Sequence, residues 1–335
     1  DADDTAERAR ALEEAEKGKR VLLLTRADEP LSRDLPEQRH PVALILLEDT
    51  VRPDAPEILK FFADQGVDLK VISGDNVATV AAVAHRAGVP MANASMDARE
   101  LPDGADDLAE VMGNTAVFGR VTPHQKRAMV GALQAKGRVV AMTGDGVNDA
   151  PALKKADIGI AMGQRGTQVA QEAAHMVLQD DAFATIIAAM RQGRVIFDNI
   201  RKFVVYLMSC NVSEVLVVGL AVGAGLPAPL LPLQILFLNL VTDIFPAFAL
   251  GLGKGDENVM TKPPRNPAEA IVDRPRWVLI GVLGASITIA TLGAFAVALF
   301  WLGVETGPAV TVAFLTLALA QLWNVFDVVS SGWSE

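Results

Sequence analysis

Cysteine is all but missing from this 335-residue chain: Cys210 stands alone, so no disulfide framework can staple the fold, and the count is silent about redox compartment. Aromatic residues make up only 5%, and no low-complexity tract occurs. Two further shortages are local. Residues 277–302 contain no charge at all, and the connections 227–229 and 303–308 contain no lysine or arginine. What is present is 51% hydrophobic with a net charge of −10, and the apolar residues pile up after residue 200. Four stretches, 203–226, 230–251, 277–302 and 309–329, each reach the length of about 20 residues that crosses a bilayer as a helix. Four such runs in succession argue against a set of buried core helices. Arg201 and Lys202 precede the first run, and Lys254, Lys262, Arg265, Arg274 and Arg276 lie between the second and third. Positive loops stay inside, so the two short uncharged or acidic loops are external and the region before residue 200 is cytoplasmic. The sequence therefore predicts a multi-pass integral membrane protein, of the plasma membrane, with the lipid bilayer as partner and nothing pointing to nucleic acid.

Before residue 200 the text is charged and mixed. Short apolar runs at 21–24, 42–47, 69–72, 139–142 and 158–162 read as buried parallel strands. Helical spacing recurs over 55–65, 77–87 and 123–135. The combination predicts a doubly wound α/β domain with its site at the carboxyl ends of the strands. Three polar motifs sit where such a site belongs. Met142-Thr143-Gly144-Asp145-Gly146-Val147-Asn148-Asp149 sets two carboxylates four residues apart on a glycine-rich turn. Mg²⁺ takes a few hard oxygen ligands together with phosphate oxygens and water, which such a turn can supply. Ile72-Ser73-Gly74-Asp75-Asn76 offers a hydroxyl and backbone N–H groups at a helix start, suited to phosphate oxygens. Arg120-Val121-Thr122-Pro123-His124-Gln125-Lys126 opens a helix and supplies Lys126, a compact cation. Taken singly, Ser73 reads equally as a helix cap, Lys126 as a solvated lysine and Arg120 as half of a surface ion pair.

Polar side chains also punctuate the apolar runs. A charge at the centre of a membrane helix costs on the order of 2.5 to 3.5 kcal/mol, so such groups usually face an ion or substrate path. The first run carries Asn211 and Glu214 at helical spacing, and the second carries Asn239, Thr242 and Asp243 followed by Pro246. The fourth carries Gln321, Asn324 and Asp327. Oxygens from several helices suit a hard cation, although hydrogen bonding between helices would use the same residues.

The string Thr143-Gly144-Asp145-Gly146-Val147-Asn148-Asp149-Ala150-Pro151, continued by Ala152-Leu153-Lys154-Lys155-Ala156-Asp157-Ile158-Gly159, resembles the P-type ATPases. With the Ser73 and Lys126 motifs in this order, the chain looks like three of the four phosphotransfer motifs of the haloacid dehalogenase-like superfamily. That resemblance implies a remnant of a nucleotide-binding domain over 1–40, a haloacid dehalogenase-like phosphorylation domain over 41–200 and a transmembrane domain of four helices over 201–335. It also implies ATP and Mg²⁺ as cofactors. Lys126, Ser73, Gly74 and Asn148 would act on the phosphoryl group and Asp145 and Asp149 would hold Mg²⁺. Asp49, Arg52, Asp75 and Arg120 would lie around the nucleotide, and residues 177–202 would include a stalk helix continuing into the first span. The membrane motifs resemble the calcium-pump class, in which the residues matching Asn211, Glu214, Asn239, Thr242 and Asp243 coordinate transported ions. Gln321 departs from it, since two-site calcium pumps carry a Glu there. One Ca²⁺ per cycle is therefore expected, with Mn²⁺ and Na⁺ left open. Residues 256–276 resemble the cytoplasmic loop between the sixth and seventh helices, an irregular linker by its prolines. The phosphorylated Asp of the family lies in a D-K-T-G-T motif, and that motif does not occur here. The sequence is thus expected to be the C-terminal part of a pump, inactive alone, whose partner is its missing N-terminal portion. A non-catalytic cation-binding subunit, half of a split pump, and a phosphatase fused to a membrane anchor are the alternatives.

Overall fold

The computed structural model describes residues 2–27, 39–48, 50–256, 258–266 and 268–330, so Asp49 lies outside the described residues. It divides into two compact units, Asp1–Ile187 and Ala188–Glu335.

Two three-stranded parallel sheets build the first unit. One has the order β3 (Val71–Ile72), β5 (Val117–Gly119), β4 (Ser95–Asp97). Successive residues of a strand face opposite ways, and β5 uses both faces. Val117 packs with Val80 and Ala84 of α3 (Val77–Arg86), whereas Phe118 packs with Leu108 and Met112 of α4 (Ala105–Asn114) and Met129 of α5 (Pro123–Ala135). Both side chains are fully buried, worth about 1.5 to 3 kcal/mol each. The other sheet has the order β6 (Ala141–Gly144), β7 (Ile158–Met162), β8 (Met176–Leu178). Met142 and Ala161 pack there with Val130 of α5, Ala152 and Leu153 of α6 (Ala150–Lys155) and Ala170 of α7 (Gln168–Ala173). Helix starts are fixed by their caps: Asn76 accepts from Ala78 N, and Thr122 and Gln125 form a capping box ahead of Pro123. These caps hold the turns that follow β3 and β5.

Not every strand behaves as the runs predict. The runs at 21–24 and 42–47 fall in β1 (Lys19–Ala27) and β2 (Arg39–Glu48), which pair with each other, antiparallel, rather than joining a buried parallel sheet. Leu22, Leu23, Leu24, Ile45, Leu46 and Leu47 remain close to half exposed. An uninterrupted apolar run specifies a strand that could be buried on both faces but does not specify its partner. β4, β5 and β8 are three residues each, too short to show a period in sequence, and β6 starts at Ala141, leaving Val139 exposed. Two further helices, α1 (Ala2–Glu16) and α2 (Ala55–Asp64), belong to this unit.

The second unit is helical. α8 (Ala184–Gly223) begins just before the division and runs for 40 residues. The next span is interrupted: α9 (Pro232–Phe237) passes through a π-helical turn, Leu238–Thr242, into α10 (Ile244–Gly251). α11 (Arg274–Ala296) ends in a second π turn, Val297–Trp301, and α12 (Thr306–Ser330) follows. The segments Ala184–Gly223, Pro232–Gly251, Arg274–Trp301 and Thr306–Val329 are long and apolar enough to cross a membrane. Tyr206, Cys210, Val217, Leu238, Ile280, Phe295 and Leu317 point inwards, while Phe245, Phe300, Trp301 and Trp323 stand exposed. The connection after α10 is irregular yet tied down. Asn199 donates to the carbonyls of Gly251 and Gly253 at 3.2 and 2.7 Å, and Arg194 donates to those of Val259 and Lys262 at 3.1 and 2.9 Å. Arg201 pairs with Glu269, and Arg265 stacks 3.9 Å from the Phe197 ring centroid.

Candidate functional site

Two constellations hold the predicted residues, one in each unit. In the first, β6 ends at Gly144 and the chain turns sharply through Asp145 into a short 3₁₀ turn and α6. Asp149 is buried, and its carboxylate is fully engaged. Oδ1 takes Lys126 Nζ at 2.6 Å, and Oδ2 accepts from the N–H of Asp145 and of Gly146 at 3.3 and 3.2 Å. Lys126, 12% exposed at its side chain, comes from the first turn of α5, so this ion pair joins two of the three sequence motifs. Gly144 is required sterically: a Cβ there would stand 2.5 Å from Asp149 Cβ. Asp145 and Asn148 are exposed. Asp145 is consequently the carboxylate open to a cation, and Asp149 holds the turn and the lysine.

Ser73 follows β3, its Oγ accepting from Asp75 N at 3.1 Å, which leaves the hydroxyl proton free to be donated elsewhere. Its backbone is tied to Phe118 and Val121, and the Asp75 carbonyl accepts from Arg120 N at 2.8 Å. Ser73, Gly74 and Asp75 are thereby fastened to the strand end that leads into α5. Asp75 is half exposed, 3.9 Å from Arg20. Arg120 adopts a left-handed backbone, φ +56°, and its guanidinium reaches Asp97 at 3.1 Å. Asp97 also takes Arg99 at 2.7 Å, and this guanidinium foremost, then the Arg99 backbone N–H, holds its carboxyl well below the usual carboxylate range. Arg52 donates to the Asp181 carbonyl at 3.0 Å and to the Asp54 carboxylate at 3.3 Å. Asp97 carries no motif and was not foreseen.

In the second unit the buried groups of three helical segments meet. Glu214 on α8 accepts from Asn239 Nδ2 at 3.1 Å and from Gln321 Nε2 at 3.0 Å, the latter from α12. Asp243, 2% exposed at the break between the π turn and α10, takes the Tyr206 hydroxyl at 3.4 Å. Asn324 donates to Ser209 Oγ at 2.8 Å. Thr242 is buried beside Asp243, whereas Asn211 is exposed and apart from this group, and Asp327 is exposed. Asp243 Oδ2, Gln321 Oε1 and Asn324 Oδ1 are buried oxygens without a hydrogen-bond partner. A buried acceptor left unmatched costs about 1 to 3 kcal/mol, a cost that a cation bound among these oxygens would relieve. Among the described residues no three carboxylate, thiol or imidazole groups converge, so a cation here would rely on amide, hydroxyl and carbonyl oxygens as well as carboxylates. The π turn supplies such carbonyls by displacing the regular ladder: Asp243 N bonds to Leu238 O at 3.0 Å. Tyr206 and Ser209 were not foreseen from sequence, and Asn324 was named there only as a polar residue of the fourth run. Only Asn324 had a signal, its three-residue spacing from Gln321 on one face.

Comparison with known proteins bears on both constellations. Residues 3–157 match the haloacid dehalogenase-like hydrolase family, and residues 227–335 match the cation transporting ATPase C-terminus. The calcium-transporting ATPase of Bacillus subtilis (strain 168) is 44% identical over 281 residues, which is 83% of this chain and 32% of that protein. Calcium-transporting ATPase 2, endoplasmic reticulum-type, of Arabidopsis thaliana is 41% identical, over 76% of this chain and 25% of the relative. Calcium-transporting ATPase 1 of Yarrowia lipolytica (strain CLIB 122 / E 150) is 42% identical, over 72% and 26%. The chain therefore spans about a quarter to a third of the length of these curated relatives.

Proposed function

We propose, from the premise that this chain belongs to the P-type cation-transporting ATPases, in their calcium-pump-like class, that it supplies the phosphoryl-handling site and much of the ion site of a pump that exports Ca²⁺ through an aspartyl-phosphate cycle. The observation that carries this is the buried junction of Glu214 with Asn239 and Gln321 beside Asp243, in a chain whose other unit joins Lys126 to the Asp145 turn. The nucleophilic Asp comes from a D-K-T-G-T segment outside these residues. β3 and β6, the strands that end at Ser73 and Asp145, are each an outer strand of their sheet. A strand paired there would bring its carboxylate between the two site-bearing turns.

In this reading Lys126 Nζ and the Ser73 hydroxyl stabilise the transferring phosphoryl group, Gly74 and Asn148 complete its surroundings, and Asp75, Arg120, Arg52 and Asp49 face the nucleotide. Asp145 holds Mg²⁺, and Asp149 keeps Lys126 and the turn in register. The bound metal neutralises phosphate charge in the transition state. In the second unit, Glu214, Asp243, Asn239 and Thr242 receive the ion, and Asn211, exposed and apart from them, is left out. Gln321 is a neutral amide, which favours one Ca²⁺ per cycle. Transport follows if the phosphorylated and unphosphorylated states bind the ion with different affinity, since only a differential interaction shifts their balance. The plasma membrane is the proposed location, and one relative is named endoplasmic reticulum-type.

The test is phosphoenzyme formation from labelled ATP by the pump carrying its D-K-T-G-T segment, scanned over Ca²⁺, Mn²⁺, Na⁺ and no added ion. A hydroxylamine-sensitive label appearing with Ca²⁺ and abolished by Asp243→Asn is the expected result. A label indifferent to every ion would remove the membrane groups from the site, and no label at all would remove the pump.

A further inference from the structure

We infer that Asp181 is a positioning residue for the Asp145 turn, acting through the loop 163–167, an inference that rests on the Mg²⁺ role proposed for Asp145. Asp181 is 5% exposed and is neither a motif residue nor part of the phosphoryl site. Its Oδ1 accepts from Gly163 N at 2.7 Å and Gln164 N at 3.0 Å, and its Oδ2 accepts from Arg165 N at 3.0 Å and Arg165 Nε at 3.3 Å. One carboxylate thus satisfies three successive backbone donors. The acceptors of the same loop go to one amide: Gln171 Nε2 lies 3.2, 2.9 and 3.1 Å from the carbonyls of Met162, Gly163 and Gly166. Two side chains therefore hold the loop from its two sides.

The loop is tight as well as clamped. A Cβ at Gly163 would stand 2.6 Å from Leu178 O, and one at Gly166 would stand 2.0 Å from Met162 O. Its far end then reaches the metal turn, where Thr167 N donates to Asp145 O at 2.8 Å. Asp145 is in this way gripped at its N–H by Asp149 and at its carbonyl by the loop. Asp181 is itself held in an uncommon posture, φ +53°, its carbonyl receiving Arg52. A left-handed aspartate persists where its surroundings over-determine it. Four charge-assisted hydrogen bonds, with the Gln164 N–H foremost, also keep its carboxyl below the usual carboxylate range. Its neighbour Asp180 is different: it caps Ala182 N at 3.1 Å and takes the Thr185 hydroxyl at 2.6 Å, and so turns away from the loop.

The experiment compares Asp181→Ala, Asp181→Asn and Gln171→Ala with Asp180→Asn in the pump carrying its D-K-T-G-T segment. Loss of a group that orients a metal ligand lowers metal affinity by about 10- to 100-fold. Half-maximal phosphorylation should accordingly need about tenfold more Mg²⁺ in Asp181→Ala, with the ATP requirement unchanged. Asp181→Asn, which keeps one acceptor, and Gln171→Ala should shift it in the same direction by less. Asp180→Asn should leave it at the wild-type value. Hydrogen exchange without Mg²⁺ or nucleotide should quicken at both 163–167 and 143–149 in Asp181→Ala. Unchanged Mg²⁺ dependence, or faster exchange confined to 163–167, would overturn the inference. A wild-type pump that forms no label would instead sink the proposed function, and the exchange comparison would still decide whether Asp181 holds the Asp145 turn.

Discussion

Lys126 and Asp149 form a largely buried ion pair that ties the first turn of α5 to the Asp145 turn. Their 2.6 Å pair is nearly dehydrated, and each partner is tolerable there only because of the other. Lys126→Met should destabilise the first unit by about 3 kcal/mol, because a buried carboxylate is left without its cation. Lys126→Met with Asp149→Leu should recover part of that, which urea midpoints would measure; equal losses in single and double variants would deny the coupling. Asp97 is a second case with a pH signature. Arg99 first, and Arg120 among the rest, depress its carboxyl on folding. A depressed carboxyl stabilises the fold above its unfolded value of about 3.9 and loses that contribution as pH falls through the folded value. The difference in thermal midpoint between wild type and Asp97→Asn should therefore be flat above about pH 5 and shrink below about pH 4. A difference constant across that range would mean Asp97 acts through its shape alone. Residues such as Asp145, Ser73 and Lys126 were legible because each lies in a contiguous motif at an element boundary. Tyr206 and Asp181 were not, since their partners lie 16 or more positions away, and Asp97 was not, since it lies in no motif although Arg99 is two residues on.

At the level of elements, turns decide where carboxylates point. Gly144 and Gly146 flank Asp145, yet only the first is crowded: a Cβ at Gly146 would be 3.6 Å from its nearest neighbour, against 2.5 Å at Gly144. Gly144→Ala should cost about 1 to 3 kcal/mol by overpacking and should also weaken Mg²⁺-dependent phosphorylation, whereas Gly146→Ala should be close to wild type in both. Equal effects would mean the turn is set by backbone freedom and not by Asp149. The π turn before α10 plays the matching part in the membrane unit. Pro246 lies within α10, but the ladder already departs from regularity at Leu238–Thr242, ahead of it. The strand runs were legible as strands; the antiparallel pairing of β1 with β2 was not, because apolar side chains favour burial without naming a partner.

On the scale of the whole molecule, the four spans and the loop charges make a prediction about sidedness. Cys210 is fully buried, so the native background of thiol labelling should be low. A cysteine placed at Ala228 should react with an impermeant maleimide on intact cells, and one placed at Asn266 only after permeabilisation. The reverse pattern would invert the orientation. The apolar runs fall, to within a few residues, on the helices long and apolar enough to cross a membrane, apart from α8, which starts well before residue 203. A helix does not end where its hydrophobicity ends: residues 184–202 are too polar to read as a span, and it was the family resemblance that implied a helix within 177–202 continuing into the first run.

The sequence by itself determined that the chain is an α/β region followed by helices long and apolar enough to span a membrane, and that its short polar motifs lie at strand ends and helix starts. Those properties are local: strand ends, helix starts and 20-residue apolar runs are written in neighbouring residues. Tertiary structure alone decided that Asp149 is spent on Lys126 while Asp145 stays open, that Glu214 is bridged by Asn239 and Gln321 while Asn211 stands apart, and that Asp181 grips the loop behind the Asp145 turn. Each depends on contacts between residues 16 to 107 positions apart, whose geometry no local propensity encodes.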